Sequence, residues 1–135
     1  MGTLDAGWNP SYALDDDSII VSAQTVTSDT AGTVGGSAAF FDFGADWNKL
    51  GARTFVFDLG AIDIANADET YELQLEFAAA SNFSTVLGEC IRTIASTDAN
   101  KQITFILAPL ARYVRVYTNV GGTTPSIAIN YAWIV

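Results

Sequence analysis

The clearest alternation of apolar and polar side chains along the chain lies between Tyr71 and Phe77. The odd-numbered positions of this segment are all apolar, and the even-numbered positions are Glu72, Gln74 and Glu76. Successive side chains of a β-strand point to opposite faces of the sheet. The segment therefore predicts a half-buried antiparallel strand, with one face in the core and the other solvated.

Seven further segments are rich in β-branched and aromatic residues and are separated by turn-forming residues, a pattern typical of strands. They are residues 18–28, 38–43, 53–59, 86–95, 102–107, 112–119 and 126–135. A glycine-containing loop is expected at 29–37, and a helical turn only within 78–85. Eight strands with frequent turns indicate an all-β fold, a jelly-roll-like antiparallel β-sandwich, with a closed barrel as the alternative.

The apolar members of the best alternating segments define the expected core. These residues are Phe55, Phe57, Leu73, Leu75, Phe77, Phe105, Val114, Val116, Ile129 and Trp133.

Residues 1–17 show no sustained periodicity and contain Gly2, Gly7 and Pro10, so they predict an irregular N-terminal arm. The arm nevertheless carries Trp8 and Tyr12. Large aromatic side chains are favoured anchors at protein interfaces. We therefore expect the arm to dock on an adjacent subunit, and residues 18–135 to form a single β-sandwich domain.

Charge and hydropathy restrict the class of protein further. The chain of 135 residues carries a net charge of −9 and has no run of lysine and arginine, which argues against a nucleic-acid partner. No stretch reaches the roughly 18 to 20 apolar residues that span a bilayer, and the first residues lack the features of a signal peptide. We expect no membrane association, and maturation in the cytoplasm where the protein is made.

The side chains that catalysis usually needs are scarce. The chain has no histidine and a single cysteine, Cys90, which excludes a Cys/His nucleophile pair, a zinc site of these residues and an internal disulfide. Glu72 and Glu76 lie about 13 Å apart along a strand, farther than the carboxylates of a glycosidase. We expect a protein that is not an enzyme and has no cofactor.

Two acidic segments are candidates for calcium. Asp15, Asp16 and Asp17 are consecutive and lack the alternating ligand spacing of a calcium loop. Asp63, Asp68 and Glu69 form a second acidic segment, typical of a solvated loop. The expectation is therefore no metal site, with calcium binding as the alternative.

Three further residues are candidate contacts with a partner protein or with another subunit. Trp47, in a loop between Asp46 and Asn48, is a surface candidate. Arg112 and Arg115 lie three positions apart, which is an odd spacing, so they are expected on opposite faces of one strand. One is expected to face solvent or a partner, and the other the sheet interior or its rim, paired with a carboxylate.

The order of motifs in the second half of the chain resembles one protein family. The motifs are Tyr-Glu-Leu-Gln-Leu-Glu-Phe at 71–77, Asn-Phe-Ser-Thr at 82–85, Ala-Arg-Tyr-Val-Arg-Val-Tyr-Thr-Asn-Val-Gly-Gly-Thr-Thr-Pro-Ser at 111–126 and a final Tyr-Ala-Trp-Ile-Val. They resemble the jelly-roll cement, or decoration, proteins of short-tailed bacteriophages, of the Bordetella phage type. The first half from residue 18 fits more loosely, and the arm departs from the pattern.

The resemblance implies a virion protein on the outer surface of a phage head. It implies a small symmetric oligomer, a dimer or a trimer, that bridges neighbouring major capsid proteins, and it carries over no catalytic residue. Many identical contacts would combine through multivalency. The alternative is a carbohydrate- or receptor-binding β-sandwich displayed on the virion, for which a cleft containing Trp47 would be the sign.

Overall fold

Residues 18–135 are described by a computed structural model, and β-strands are the main regular elements in this range. Seven of the strands in this range have six residues or more, and four have two. The long strands are β1 (Ile19–Val26), β6 (Arg53–Ile62), β7 (Thr70–Ala78), β8 (Val86–Ile94), β9 (Gln102–Leu107), β10 (Tyr113–Gly121) and β11 (Ile127–Ile134). The short strands are β2 (Thr30–Ala31), β3 (Thr33–Val34), β4 (Ser37–Ala38) and β5 (Phe41–Asp42).

The long strands form two antiparallel sheets. One sheet has the order β1-β11-β6-β9, and the other has the order β10-β7-β8 with β2 and β5 both paired to the free edge of β10. Each of the consecutive pairs β6/β7, β8/β9 and β10/β11 places one strand in each sheet. The chain is therefore an all-β antiparallel sandwich, as predicted.

The core lies between the two sheets and is fixed by aromatic contacts that cross it. The Phe55 ring meets Phe43 at 6.3 Å and Phe77 at 6.2 Å between centroids, both edge to face. Such contacts add to the free energy gained by burying the rings. Every member of the predicted core is buried, with at most 6% of its surface exposed.

The alternating pattern is confirmed in β7, where every second side chain faces the core: Tyr71, Leu73, Leu75 and Phe77. The expectation of a solvated opposite face is wrong, because Gln74 and Glu76 are each only 8% exposed. Other side chains therefore cover the outer face of this sheet.

Several expected boundaries are corrected. The segment 29–37 contains the short strands β2 and β3 and the first residue of β4 instead of a plain loop, and the expected strand at 38–43 is broken between β4 and β5. No helical turn forms within 78–85, where Asn82 Oδ1 accepts a hydrogen bond from the Ser84 N–H and Phe83 has a φ of +52°. Such a local turn competes with helix formation. Single 3₁₀ turns occur instead at Trp47–Lys49 and Ser96–Asp98.

Neither 3₁₀ turn, nor any other helix within residues 18–135, is long and apolar enough to cross a membrane. Residues 1–17, with Trp8, Tyr12 and the run Asp15 to Asp17, lie outside the described residues.

Candidate docking face

The outer face of the sheet that contains β7 and β10 carries a cluster of aromatic rings around an arginine. Because Val114 and Val116 point into the core, Tyr113, Arg115 and Tyr117 point outward. Phe83, from the loop between β7 and β8, and Phe40, from the segment between β4 and β5, join them. We call Phe40, Phe83, Tyr113, Arg115 and Tyr117 the aromatic–arginine face.

Arg115 is the centre of this face. Its Nε donates a hydrogen bond of 2.8 Å to Glu76 Oε1 on the neighbouring strand, where the two residues are directly paired. Its guanidinium carbon lies 4.6 Å from the centroid of the Phe83 ring and 5.5 Å from that of Tyr117. The ion pair and the ring contacts together immobilise a side chain that would otherwise be mobile. This arrangement also explains why Glu76 is buried.

Phe40 extends the face toward solvent. Its ring centroid is 5.6 Å from that of Tyr113, edge to face, and 6.4 Å from that of Phe83, yet 44% of the residue remains exposed. On the far side of Arg115, Ile91 is 47% exposed and pairs with Gln74. The face therefore presents fixed aromatic and apolar groups that no described residue covers completely.

Arg112 contacts the same face, which corrects the expectation that it and Arg115 lie on opposite faces. Arg112 precedes the first residue of β10, so strand alternation does not determine its direction. Its guanidinium lies 5.2 Å from the Tyr113 ring centroid and binds both carboxylate oxygens of Asp42, at 2.7 and 3.0 Å. The hydrogen bond with Arg112 is the main cause that lowers the pKa of Asp42. The prediction that a carboxylate pairs with one of the arginines is confirmed for both.

Negative charges are in excess around the aromatic–arginine face. Arg115 is compensated by Glu76 and Arg112 by Asp42. Glu89 pairs with Glu76 across the strands, and Glu72 lies two steps away on the same side of the sheet. Among residues 18–135, Glu72 and Glu89 form no ion pair within 4.0 Å. The rim of the face is consequently acidic.

Trp47, the other surface candidate, is half-buried in the 3₁₀ turn Trp47–Lys49. No ring or cation contact within the described range joins it to the aromatic–arginine face. Of the members of the face, only Arg115 was a candidate from the sequence. Tyr113 and Tyr117 lie in the expected strand 112–119, and alternation with the core residues Val114 and Val116 could have placed them on the outer side. Phe40 and Phe83 lie in irregular segments, where alternation gives no direction.

The acidic loop before β7 is structured by its own carboxylates. Asp63 Oδ1 accepts a hydrogen bond from the Ala65 N–H, and Asp68 accepts from both the backbone and the hydroxyl of Thr123. These two bonds from Thr123 lower the pKa of Asp68. No three carboxylate, cysteine or histidine side chains within residues 18–135 are grouped to hold a metal ion.

No family model matches the chain, and no curated protein matches it at a significant level.

Proposed function

We propose that the protein is a capsid cement protein that binds the outer surface of a phage head through its aromatic–arginine face and bridges major capsid proteins. The observation that carries the proposal is this face, because tyrosine, phenylalanine and arginine are enriched at the centres of protein interfaces. Here they are held in fixed positions by Glu76 and by one another. Less conformational entropy is then lost on binding.

Two further features support the proposal. The order of the strands over two layers agrees with the jelly roll that the motifs of the second half resemble. The acidic rim at Glu72 and Glu89 favours a basic segment of the capsid protein as the partner, since opposite charges speed and orient association. Assembly as a dimer or trimer in the host cytoplasm, with the arm of residues 1–17 as a second contact, completes the proposal.

The carbohydrate-binding alternative depended on a cleft that contains Trp47. Trp47 lines neither of the two cavities described within residues 18–135, both of which lie beside Tyr71, so one function is proposed.

The test is the composition of purified phage heads from the virus that encodes the chain. We expect a fixed ratio of this protein to the major capsid protein, and rebinding of the recombinant protein to heads from which it has been removed. Phe40→Ser should reduce occupancy and lower the temperature at which the heads release DNA. The matched control is Ile106→Ser, because Ile106 is 66% exposed and lies in the other sheet.

Absence of the protein from purified heads would reject the function. Equal occupancy by the Phe40→Ser and Ile106→Ser variants would instead reject the aromatic–arginine face as the attachment surface.

A further inference from the structure

A cavity of about 320 Å³ lies at the end of the sandwich where the loop between β6 and β7 meets the turn after β8. Ile64 and Ile94 and the ring of Tyr71 form its apolar walls, and Glu69 and Ser96 add a carboxylate and a hydroxyl. This volume is at the lower end of the range of small-molecule sites, which are mostly apolar with a few polar groups. The cavity is therefore suited to a short ligand with one polar end.

Glu69 has one carboxylate oxygen without a partner. Its Oε2 accepts a hydrogen bond of 3.2 Å from the Asn66 N–H. Its Oε1 is shielded from solvent and is the one buried side-chain oxygen or nitrogen of residues 18–135 that lacks a hydrogen-bond partner. A buried acceptor without a donor is costly and calls for an explanation. A donor supplied by a ligand would satisfy it.

The surrounding loop holds Glu69 beside the cavity. Ala67 donates a backbone hydrogen bond to the Ile64 carbonyl, and Asp68 is fixed by Thr123. The Tyr71 hydroxyl donates to the Asp63 carbonyl and accepts from the Ser126 N–H, so its hydrogen is already used. Because Oε1 is shielded from solvent in this conformation, a ligand in the cavity reaches it only when the Glu69 carboxyl group turns about its last side-chain bond.

We propose that the cavity binds an alkylammonium group, with the ammonium on Glu69 Oε1 and a short apolar stem between Ile64 and Ile94. An ammonium fits better than a guanidinium, because it can bind Oε1 alone, whereas bidentate pairing of a guanidinium would have to share Oε2 with the Asn66 N–H. A free primary amine and a lysine side chain of another protein both offer this chemistry.

This site is separate from the aromatic–arginine face. Tyr71 and Ile94 pair at one end of β7, whereas Tyr113 pairs with Ala78 at the other end. Failure of either proposal therefore leaves the other standing.

The test is a two-dimensional amide NMR titration of the full chain at neutral pH with n-butylamine, which is then an ammonium ion, and in parallel with Nα-acetyl-lysine N-methylamide. We expect saturable shifts at Asn66, Ala67, Ala95 and Ser96, and none with 1-butanol, which has the same stem without the charge. Glu69→Gln should weaken binding about tenfold or more, since a charge-assisted hydrogen bond is lost. Ser96→Phe, at an exposed position on the cavity wall, should block it.

Asp46→Asn is the control, because it removes the same charge from an exposed position outside the cavity lining, and it should bind like the unmodified chain. Shifts with n-butylamine alone would assign the site to free amines, and shifts with both probes would extend it to lysine side chains. The proposal is overturned if neither probe gives saturable shifts, if 1-butanol binds as well, or if the Glu69→Gln chain binds with unchanged affinity.

Discussion

Arg115 and Arg112 are both paired with carboxylates on the same surface, but solvent reaches the two pairs to different degrees. The side chains of Arg115 and Glu76 are 23% and 11% exposed, whereas those of Arg112 and Asp42 are both 39% exposed. Exposed ion pairs contribute little to stability because water and salt screen them. Loss of one member of a buried pair leaves a charge without compensation, which is far more costly. The two pairs therefore form an internal comparison.

Arg115→Ala should lower the free energy of unfolding by about 2 to 3 kcal/mol, because it leaves Glu76 buried and unpaired and uncovers the Phe83 ring. Arg112→Ala should change that free energy little. Urea unfolding followed by tryptophan fluorescence measures both variants. Similar losses in the two variants would show that burial does not distinguish the pairs.

The burial of Glu76 is a property of a single residue that the sequence pattern did not predict. Alternation in β7 correctly separates Leu73 and Leu75 from Gln74 and Glu76. It cannot reveal that the outer face is covered, because Phe83 comes from a loop and Arg115 from a strand 39 positions away from Glu76. A polar residue whose covering groups lie far away in the sequence is therefore wrongly predicted to be exposed to solvent.

At the scale of elements, the best predictions are those for long strands with a buried face. The strand Gln102–Leu107 has the predicted bounds, and the other long strands differ from prediction by one to three residues at an end. The two-residue strands β2 and β3 were missed because so short a pairing leaves no periodic signal. Strand β5 lies within the expected strand 38–43, but its short length could not be foreseen, because it is set by pairing with β10 about seventy residues further along the chain.

A bulge in β11 changes the face on which Trp133 lies, so simple alternation does not predict its direction. Trp133 is 2% exposed, so the prediction of burial is confirmed. The register of β11 shifts between Ile129 and Tyr131, so that two residues of β11 oppose one of β6 and the parity of the following side chains changes. Ala132 and Ile134 consequently face the core, and Trp133 lies on the other face, opposite Val56.

The loop between β10 and β11 depends on a glycine that approaches the acidic loop closely. Gly122 has a φ of +90°, and a Cβ built there would overlap the Asp68 carbonyl oxygen. Gly35, in the turn between β3 and β4, has a φ of +60° with no atom within 4 Å of such a Cβ. Both positions favour glycine for conformational reasons, but only Gly122 is also sterically confined.

Gly122→Ala should therefore lower the free energy of unfolding by about 2 to 5 kcal/mol, which combines the left-handed backbone penalty with the displacement of the loop at Asp68. Gly35→Ala should cost only about 1 to 2 kcal/mol, from the backbone penalty alone. Thermal and urea unfolding of the two variants provide the comparison. Equal losses would argue against close contact between the two loops.

For the whole molecule, the balance of charge affects both stability and recognition. The chain has 15 acidic and 6 basic residues, and within residues 18–135 three ion pairs compensate part of this excess. The two pairs at the aromatic–arginine face use Arg112 and Arg115, so the partner that we propose must supply positive charge of its own. The same excess also means that acidic groups repel one another across the folded surface.

Salt should therefore stabilise the isolated protein at neutral pH. The distance over which charges interact falls from about 30 Å at 0.01 M salt to about 10 Å at 0.1 M, which screens long-range repulsion more than close ion pairs. We expect sodium chloride to raise the melting temperature by about 3 to 5 °C over this range, equivalent to roughly 1 kcal/mol for a chain of this length. Calorimetry at neutral pH and again near pH 4.5, where many carboxylates are close to their pKa, measures the effect, and the gain should shrink at the lower pH. A fall in melting temperature with salt at neutral pH would instead show that the attractive pairs, with Arg115 and Glu76 foremost, dominate the electrostatic free energy of the fold.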